Sequence, residues 1–195
     1  MPDVLKFNQE VYRKFIHISS SFIVILLWIF GKDAFLPFII STAVIFLIID
    51  YLRIYIHTIQ KIYFSLFGIV TREYEYQRFT GASWIFIGAT ITTFLFNENV
   101  AIIALLVMSL SDSAAAIIGI KFGRTYLFNK SLEGSTAFFI TSSIIIFSLS
   151  PELFIVNIIA VLMSVIIELF STPKLNDNLF IPLTTGIVLT IGGVI

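Results

Sequence analysis

The sequence predicts an all-α fold: a polytopic transmembrane helical bundle of about seven spans, with one amphipathic helix lying in the membrane interface. The whole, residues 1–195, reads as a single integral membrane domain. Three observations predict it. Of 195 residues, 58% are hydrophobic and only 12% charged, whereas a soluble domain is nearer half apolar and a quarter charged. Apolar stretches of spanning length recur along the chain. The cations gather on alternate sides of those stretches rather than evenly. The same composition excludes disorder, which needs polar, highly charged sequence. Lys+Arg equals Asp+Glu at 12 each, so there is no basic excess for nucleic acid. Cysteine is absent, which excludes a disulfide framework, thiolate zinc and a Cys nucleophile.

A transmembrane helix needs roughly 17–25 mostly apolar residues to cross about 30 Å of hydrocarbon. Residues 15–31 and 34–50 supply the first two, broken at Gly31-Lys32-Asp33. Residues 51–80 are too polar to span. There Ile56, Ile59, Tyr63, Leu66 and Val70 recur at helical spacing, while Arg53, His57, Gln60 and Lys61 take the other side. That pattern predicts an amphipathic helix in the interface, and Asp50 marks the end of the helix before it. Residues 82–97 and 100–119 follow, separated by Asn97-Glu98-Asn99. Then come 134–150, 153–170 and 178–195, parted at Ser150-Pro151-Glu152 and between Pro173 and Asn178. Pro, Gly, Asn and Asp are the expected punctuation. The first 14 residues carry acids and lack an apolar core after a basic start, so they do not read as a cleaved signal peptide.

Seven crossings place Lys6, Arg13, Lys14, Arg53, Lys61, Arg72, Arg78, Lys121, Arg124, Lys130 and Lys174 on one side and Lys32 alone on the other. The positive-inside rule then predicts a cytoplasmic N-terminus and cytoplasmic loops at 51–80, 120–133 and 171–177. The acids follow the cations, with only Asp33, Glu98 and Glu152 outside. Topology alone needs the cations. The acids point to chemistry on the cytoplasmic side.

Ionisable groups within spans are costly and mark function by default. Ser109, Asp112, Ser113 and Ala116 fall at i, i+3, i+4 and i+7, one small polar face. Asn157, Ser164, Glu168 and Ser171 form a second stripe, and Arg13, His17 and Ser20 a third. Small residues at this spacing equally serve close helix packing, but packing does not require a carboxylate. Asp112 and Glu168 are therefore the sharper candidates.

The richest stretch runs from Ser111 to Arg124 as S-D-S-A-A-A-I-I-G-I-K-F-G-R, followed by N-K-S-L-E-G-S from Asn129 to Ser135. An acid on a helix is followed by glycines and three cations. A Ser, an acid and a Gly then open the next helix. Phosphates suit such a mixture, because glycines admit backbone N–H groups and Lys and Arg neutralise charge. The helix start near Gly134 adds a positive dipole end. Asp112 could hold Mg²⁺ or accept a hydroxyl proton. Gly119-x-x-x-Gly123 serves equally well as a packing motif. Neither G-x-x-x-x-G-K-[ST] nor G-x-G-x-x-G occurs.

At these residues the chain resembles the dolichol kinase, phytol kinase and CTP-dependent diacylglycerol kinase family of membrane lipid kinases. The likeness covers nearly the whole chain. It rests on R-K-F-I-H (Arg13 to His17), T-G-A-S (Thr80 to Ser83), the D-x-x-A-x-x-x-G-x-x-x-G run from Asp112, K-S-L-E-G-S (Lys130 to Ser135), Glu168, and D-N-L-F-I-P-L (Asp177 to Leu183). Asn176 stands where family members often carry a second acid, and Ser111 where a Gly often precedes the first. The resemblance implies a membrane-embedded enzyme that uses CTP with Mg²⁺ to phosphorylate the hydroxyl of a lipid alcohol taken from the bilayer: a polyprenol or dolichol, a phytol-like alcohol, or diacylglycerol. By that likeness residues 112–135 hold CTP. Lys121, Arg124 and Lys130 would cradle its phosphates, while Gly119, Gly123, Ser131, Glu133 and Gly134 shape the loop. Asp112, Lys130, Glu133 and His17 would be catalytic, Asp112, Glu168 and Asp177 the metal ligands, and Arg13 and Arg72 the remaining cationic rim. The CDP-diacylglycerol synthases also look like D-x-x-A-x-x-x-G-x-x-F-G followed by K-x-x-E-G. Their later His- and Arg-containing motif is missing between Glu168 and Asn178, which favours the kinase over a cytidylyltransferase. A small transporter, the alternative from another class, should place polar groups near the midplane and on both sides.

Overall fold

The computed structural model describes residues 7–128, 130–172 and 175–194, with side chains from residue 9 onward. Lys6, Asn129, Pro173, Lys174 and Ile195, which the sequence analysis names or spans, lie outside them. Among the described residues the chain is helical but for loops and a two-residue hairpin. Helix α1 (Phe7–Ser19) runs through a bend at Ser20 into α2 (Ser21–Tyr55). After α3 (His57–Phe67) come a 3₁₀ turn at Glu73–Gln77 and α4 (Gly81–Leu95). Helix α5 (Glu98–Leu106) passes through a π turn at Val107–Ser111 into α6 (Asp112–Phe122). Strands β1 (Tyr126–Leu127) and β2 (Lys130–Ser131) pair antiparallel, and α7 (Leu132–Leu149), α8 (Phe154–Phe170) and α9 (Asp177–Ile191) complete the bundle.

The helices fall where the apolar stretches predict them. Among the described residues, three helical runs are long and apolar enough to cross a membrane: Gln9–Tyr55, Glu98–Phe122 and Leu132–Leu149. Gly81–Leu95, Phe154–Phe170 and Asp177–Ile191 are apolar but shorter. The first run is not one rod. Gly31 has φ +73° and ψ 159°, a conformation that breaks the helix and that a Cβ would strain. Past the break, the Lys32 backbone N–H donates to Glu98 Oε2 at 2.8 Å and its ammonium to the Phe96 carbonyl at 2.6 Å. Lys32 is thus bound into the 94–98 turn.

Burial is arranged as a bilayer requires. Large apolar side chains such as Trp28 and Ile155 stand more than two-thirds exposed on the outer faces, while Asp112, Glu168, Arg53 and Ser164 are buried within. Outside water, a broad apolar belt carries no penalty, and interior polar groups must be satisfied by one another. Close helix crossings use glycine. A Cβ on Gly88 of α4 would stand 2.1 Å from the Asn178 carbonyl oxygen of α9, so those backbones touch.

Two expectations for residues 51–80 are corrected. Helix α2 does not end at Asp50 but runs to Tyr55, and the amphipathic helix is confined to α3. Arg53, expected on its polar face, is fully buried. The reason is electrostatic: Arg53 Nε donates to Asp50 Oδ1 at 2.6 Å, and Nη2 donates to the Glu75 and Arg78 carbonyls at 3.0 and 2.6 Å. The Tyr63 ring lies 4.9 Å from the guanidinium. The other oxygen, Asp50 Oδ2, accepts from Thr80 N, Thr80 Oγ1 and Ser83 Oγ at 2.7, 2.9 and 2.6 Å. This one carboxylate therefore joins α2, the 3₁₀ turn and the start of α4. Removing one partner of a buried ion pair leaves the other uncompensated, at about 3–5 kcal/mol. Asp50→Ala should lose about that much stability, read as a lowered midpoint of unfolding in detergent.

Candidate active site

Five distant segments bring ionisable groups to one end of the bundle. From α1 come Lys14 and His17, both buried. The Lys14 ammonium pairs with Asp112 Oδ2 at the start of α6, and His17 Nε2 lies 3.4 Å from the same oxygen. That nitrogen also lies 3.2 Å from the Met108 carbonyl. Met108 belongs to the π turn, where the helix holds one extra residue and is locally underwound; such turns cluster at functional sites. The turn delivers both its carbonyl and the Asp112 carboxylate to one imidazole. It also shifts the face expected for Ser109, Asp112, Ser113 and Ala116, since an α-helical period does not hold across it. Ser109, Asp112 and Ser113 are nevertheless all buried.

Opposite stands Lys130, from β2. Its ammonium is 3.2 Å from Glu168 Oε1 at the end of α8 and 4.0 Å from Asp177 Oδ2 at the start of α9. Ser135 Oγ of α7 donates to Glu168 Oε2 at 2.8 Å. Burial pushes the Lys130 ammonium toward neutrality, but Asp177, Asp112 and Glu168 together more than offset it and hold its pKa above the ordinary value. Of the stripe predicted on α8, Asn157, Ser164 and Glu168 are buried and Ser171 is half-buried just past the helix end, and Ser164 exchanges a 2.7 Å hydrogen bond with Thr185 of α9.

Arg72 adds an edge. Its Nη2 donates to Glu10 Oε1 at 2.7 Å and its Nη1 to the Tyr74 hydroxyl at 3.0 Å. Although burial works against it, Glu10, Tyr74 and Asp177 keep its pKa above the usual arginine value. Arg13 is half-buried, with Nη1 enclosed and without a hydrogen-bond partner among the described residues.

Other predicted residues sit differently. Lys121 and Arg124 are exposed, and neither belongs to the ion pairs around Asp112 and Glu168. Gly119, Gly123 and Gly134 make the α6–α7 contact. A Cβ on Gly119 would meet Ser131 Oγ at 2.7 Å, and one on Gly134 the Ala115 carbonyl oxygen at 2.7 Å. The Gly134 N–H, which the sequence offers to a phosphate, donates to Ser131 Oγ at 3.1 Å as the helix cap. In this structure these residues pack α6 against α7 and cap α7. Glu133 accepts from the Thr125 N–H at 3.3 Å and so ties down the hairpin.

Among the described residues no three His, Asp or Glu side chains gather as a metal site. Mg²⁺ arriving on a nucleotide needs only one or two carboxylates. Asp112 and Asp177 fit that smaller requirement, whereas both Glu168 oxygens are already engaged. Lys14 is the participant that the sequence analysis left among topological cations. Its signal was the i, i+3 spacing to His17 inside R-K-F-I-H.

Comparison with known proteins follows this geometry. A protein of Rickettsia prowazekii described as uncharacterized is 32% identical over 197 residues, covering 95% of each chain. Another so described, from Methanocaldococcus jannaschii, is 31% identical over 187 residues and 93% of each. The chain belongs to one family with these two proteins. It is also similar to CTP-dependent diacylglycerol kinase 1 of Saccharomyces cerevisiae, 33% identical over 138 residues, 68% of this chain and 47% of that one. The corresponding kinase of Schizosaccharomyces pombe is 29% identical over 68% of this chain and 63% of its own length. The chain thus spans about half the length of the Saccharomyces enzyme. Those relatives whose names state an activity are lipid kinases. No family model and no solved structure matches.

Because the folded pKa of Lys130 is raised, its ion pairs stabilise fully below the unfolded value of 10.5 and are lost only as pH climbs through the higher folded value. Lys130→Met should therefore be less stable than wild type by a constant margin from about pH 6 to about pH 9. The gap should narrow only at stronger alkalinity, as read by unfolding in detergent.

Proposed function

We propose that the protein is a CTP-dependent lipid kinase that moves the γ-phosphoryl group of CTP to the hydroxyl of a membrane lipid alcohol. Diacylglycerol, the substrate in the names of the fungal relatives, is the first acceptor to test, with polyprenols and phytol-like alcohols after it. The observation that carries this reading is the convergence of Lys14, His17, Asp112, Lys130, Glu168 and Asp177 at one end of an otherwise apolar bundle. A scaffold has no use for buried carboxylates, and a transporter would not confine them to one end.

Phosphoryl transfer asks for positioning and charge neutralisation more than covalent chemistry. The lipid enters from the bilayer between outer faces lined with apolar side chains, and its hydroxyl meets the nucleotide at the ionic end, which faces the cytoplasm. Lys130 and Arg72 neutralise phosphate, and exposed Lys121 and Arg124 draw the nucleotide in. The lipid oxygen bonds to the γ-phosphorus as the bridge to the β-phosphate breaks, and CDP leaves. Asp112 stands at the hydroxyl, either as acceptor of its proton or as ligand for the Mg²⁺ carried on CTP, with Asp177 the second oxygen donor. When bound, that ion would supply charge neutralisation for the phosphates. Lys14 and His17 fix the Asp112 rotamer, and Met108 fixes His17.

The test uses purified protein in nanodiscs with labelled CTP and candidate alcohols or phosphatidate. CDP with a phosphorylated lipid is expected. Pyrophosphate with a CDP-lipid would establish a cytidylyltransferase, and no nucleotide turnover would point to transport. Asp112→Asn should abolish turnover, by at least about 10³-fold, while the protein still inserts. Wild-type rates in that variant would remove Asp112 from the chemistry.

A further inference from the structure

Beside the ionic cluster, the structure holds a half-open cavity of about 310 Å³ between the end of α2, the 3₁₀ turn and the start of α4 and α9. Its walls include the rings of Tyr74, Phe79 and Trp84, and its polar groups include Gln77, Arg78 and Asn176. No residue assigned above to phosphate, metal or proton handling lines the cavity. Two connections tie it to them. The Tyr74 hydroxyl accepts from Arg72 Nη1 at 3.0 Å. Asn176 precedes Asp177, whose carboxylate is 4.0 Å from the Lys130 ammonium.

We infer that this cavity is the seat of the nucleobase, a cytosine ring stacked among Tyr74, Phe79 and Trp84 with its phosphates directed toward Arg72 and Lys130. This rests on the kinase reading for the phosphates but not for the ring. Three aromatic walls suit a flat π-system, and stacking binds bases whatever their edge. The edge is matched as well. Cytosine offers an amino donor at N4 and acceptors at N3 and O2. Asn176 uses Oδ1 to cap Asn178 N at 3.1 Å, which leaves its Nδ2 as donor. The Arg78 guanidinium donates too, and Gln77 Oε1 accepts from N4. The flexible tail of a lipid alcohol gains little from three rings and two amides, whereas an aromatic heterocycle uses all of them.

The chain has two tryptophans, Trp28 and Trp84. Trp28 is 71% exposed on the outer belt, so Trp28→Phe leaves Trp84 as a single reporter without disturbing the site. Indole emission of that variant in nanodiscs should be quenched saturably by CTP and by CMP, but not by tripolyphosphate or short-chain diacylglycerol. In turnover, Trp84→Ala and Asn176→Ala should each raise KM for CTP about tenfold, with kcat and the KM for lipid alcohol within about twofold. Asn176→Ala covers the case in which Trp84→Ala fails to fold. Quenching by diacylglycerol instead of CTP, a rise in the lipid KM alone, or no change in any of these overturns the assignment. Saturable quenching without turnover would leave the base pocket standing and sink the kinase. Turnover without quenching would do the reverse.

Discussion

An ionised group inside an apolar bundle must be met by opposite charge, and this constraint fixes how the helices of this protein assemble. Asp112 cannot sit buried at the head of α6 unless Lys14 arrives from α1, nearly a hundred residues earlier. Nor can Glu168 end α8 inside the protein unless β2 brings Lys130 and α7 brings Ser135. Each pairing names a helix neighbour. In a soluble protein much of that choice falls to apolar burial, but hydrocarbon does not discriminate between apolar helix faces. The ionic end therefore specifies the arrangement, and the glycine crossings at Gly88 and Gly134 let the backbones approach closely enough to realise it.

How much of this was legible in the sequence depends on how local each signal was. Helix positions were legible because apolar length and Gly, Pro, Asn and Asp breaks act over a few residues. Asp112 and Glu168 announced themselves as carboxylates within apolar runs. Lys14 did not, since a lysine at the start of a span reads as a topological charge whether or not it turns inward. Arg53 and Asp50 were misread for a related cause. A charge at the end of an apolar run looks interfacial, and only tertiary structure reveals that Glu75, Tyr76 and Arg78 fold over it with their carbonyls.

The glycines of the 119–134 segment show another limit. A phosphate cradle and a tight helix crossing both demand the absence of a side chain, so composition cannot separate them. The structure fills the space beside Gly119 and Gly123 with Ser131 and uses the Gly134 N–H for capping. Those residues also act on the site through the packing. By seating α6 against α7 they hold Asp112 on one side of the contact and Lys130 on the other.

The π turn at Val107–Ser111 left no trace in hydrophobic periodicity. It places one more residue in its turn than a regular α-helix would, and each residue corresponds to about 100° of rotation. Deleting any one of the five would let the segment relax to an ordinary α-helical turn, with α5 and α6 keeping nearly the same mutual orientation and the carbonyls of the turn returned to regular i→i+4 bonds. The imidazole of His17 would then lose its carbonyl partner although every ionisable side chain remained. A gap of a single position here, between this chain and a distant cousin, would accordingly mark a regularised turn rather than a rotated or shortened helix.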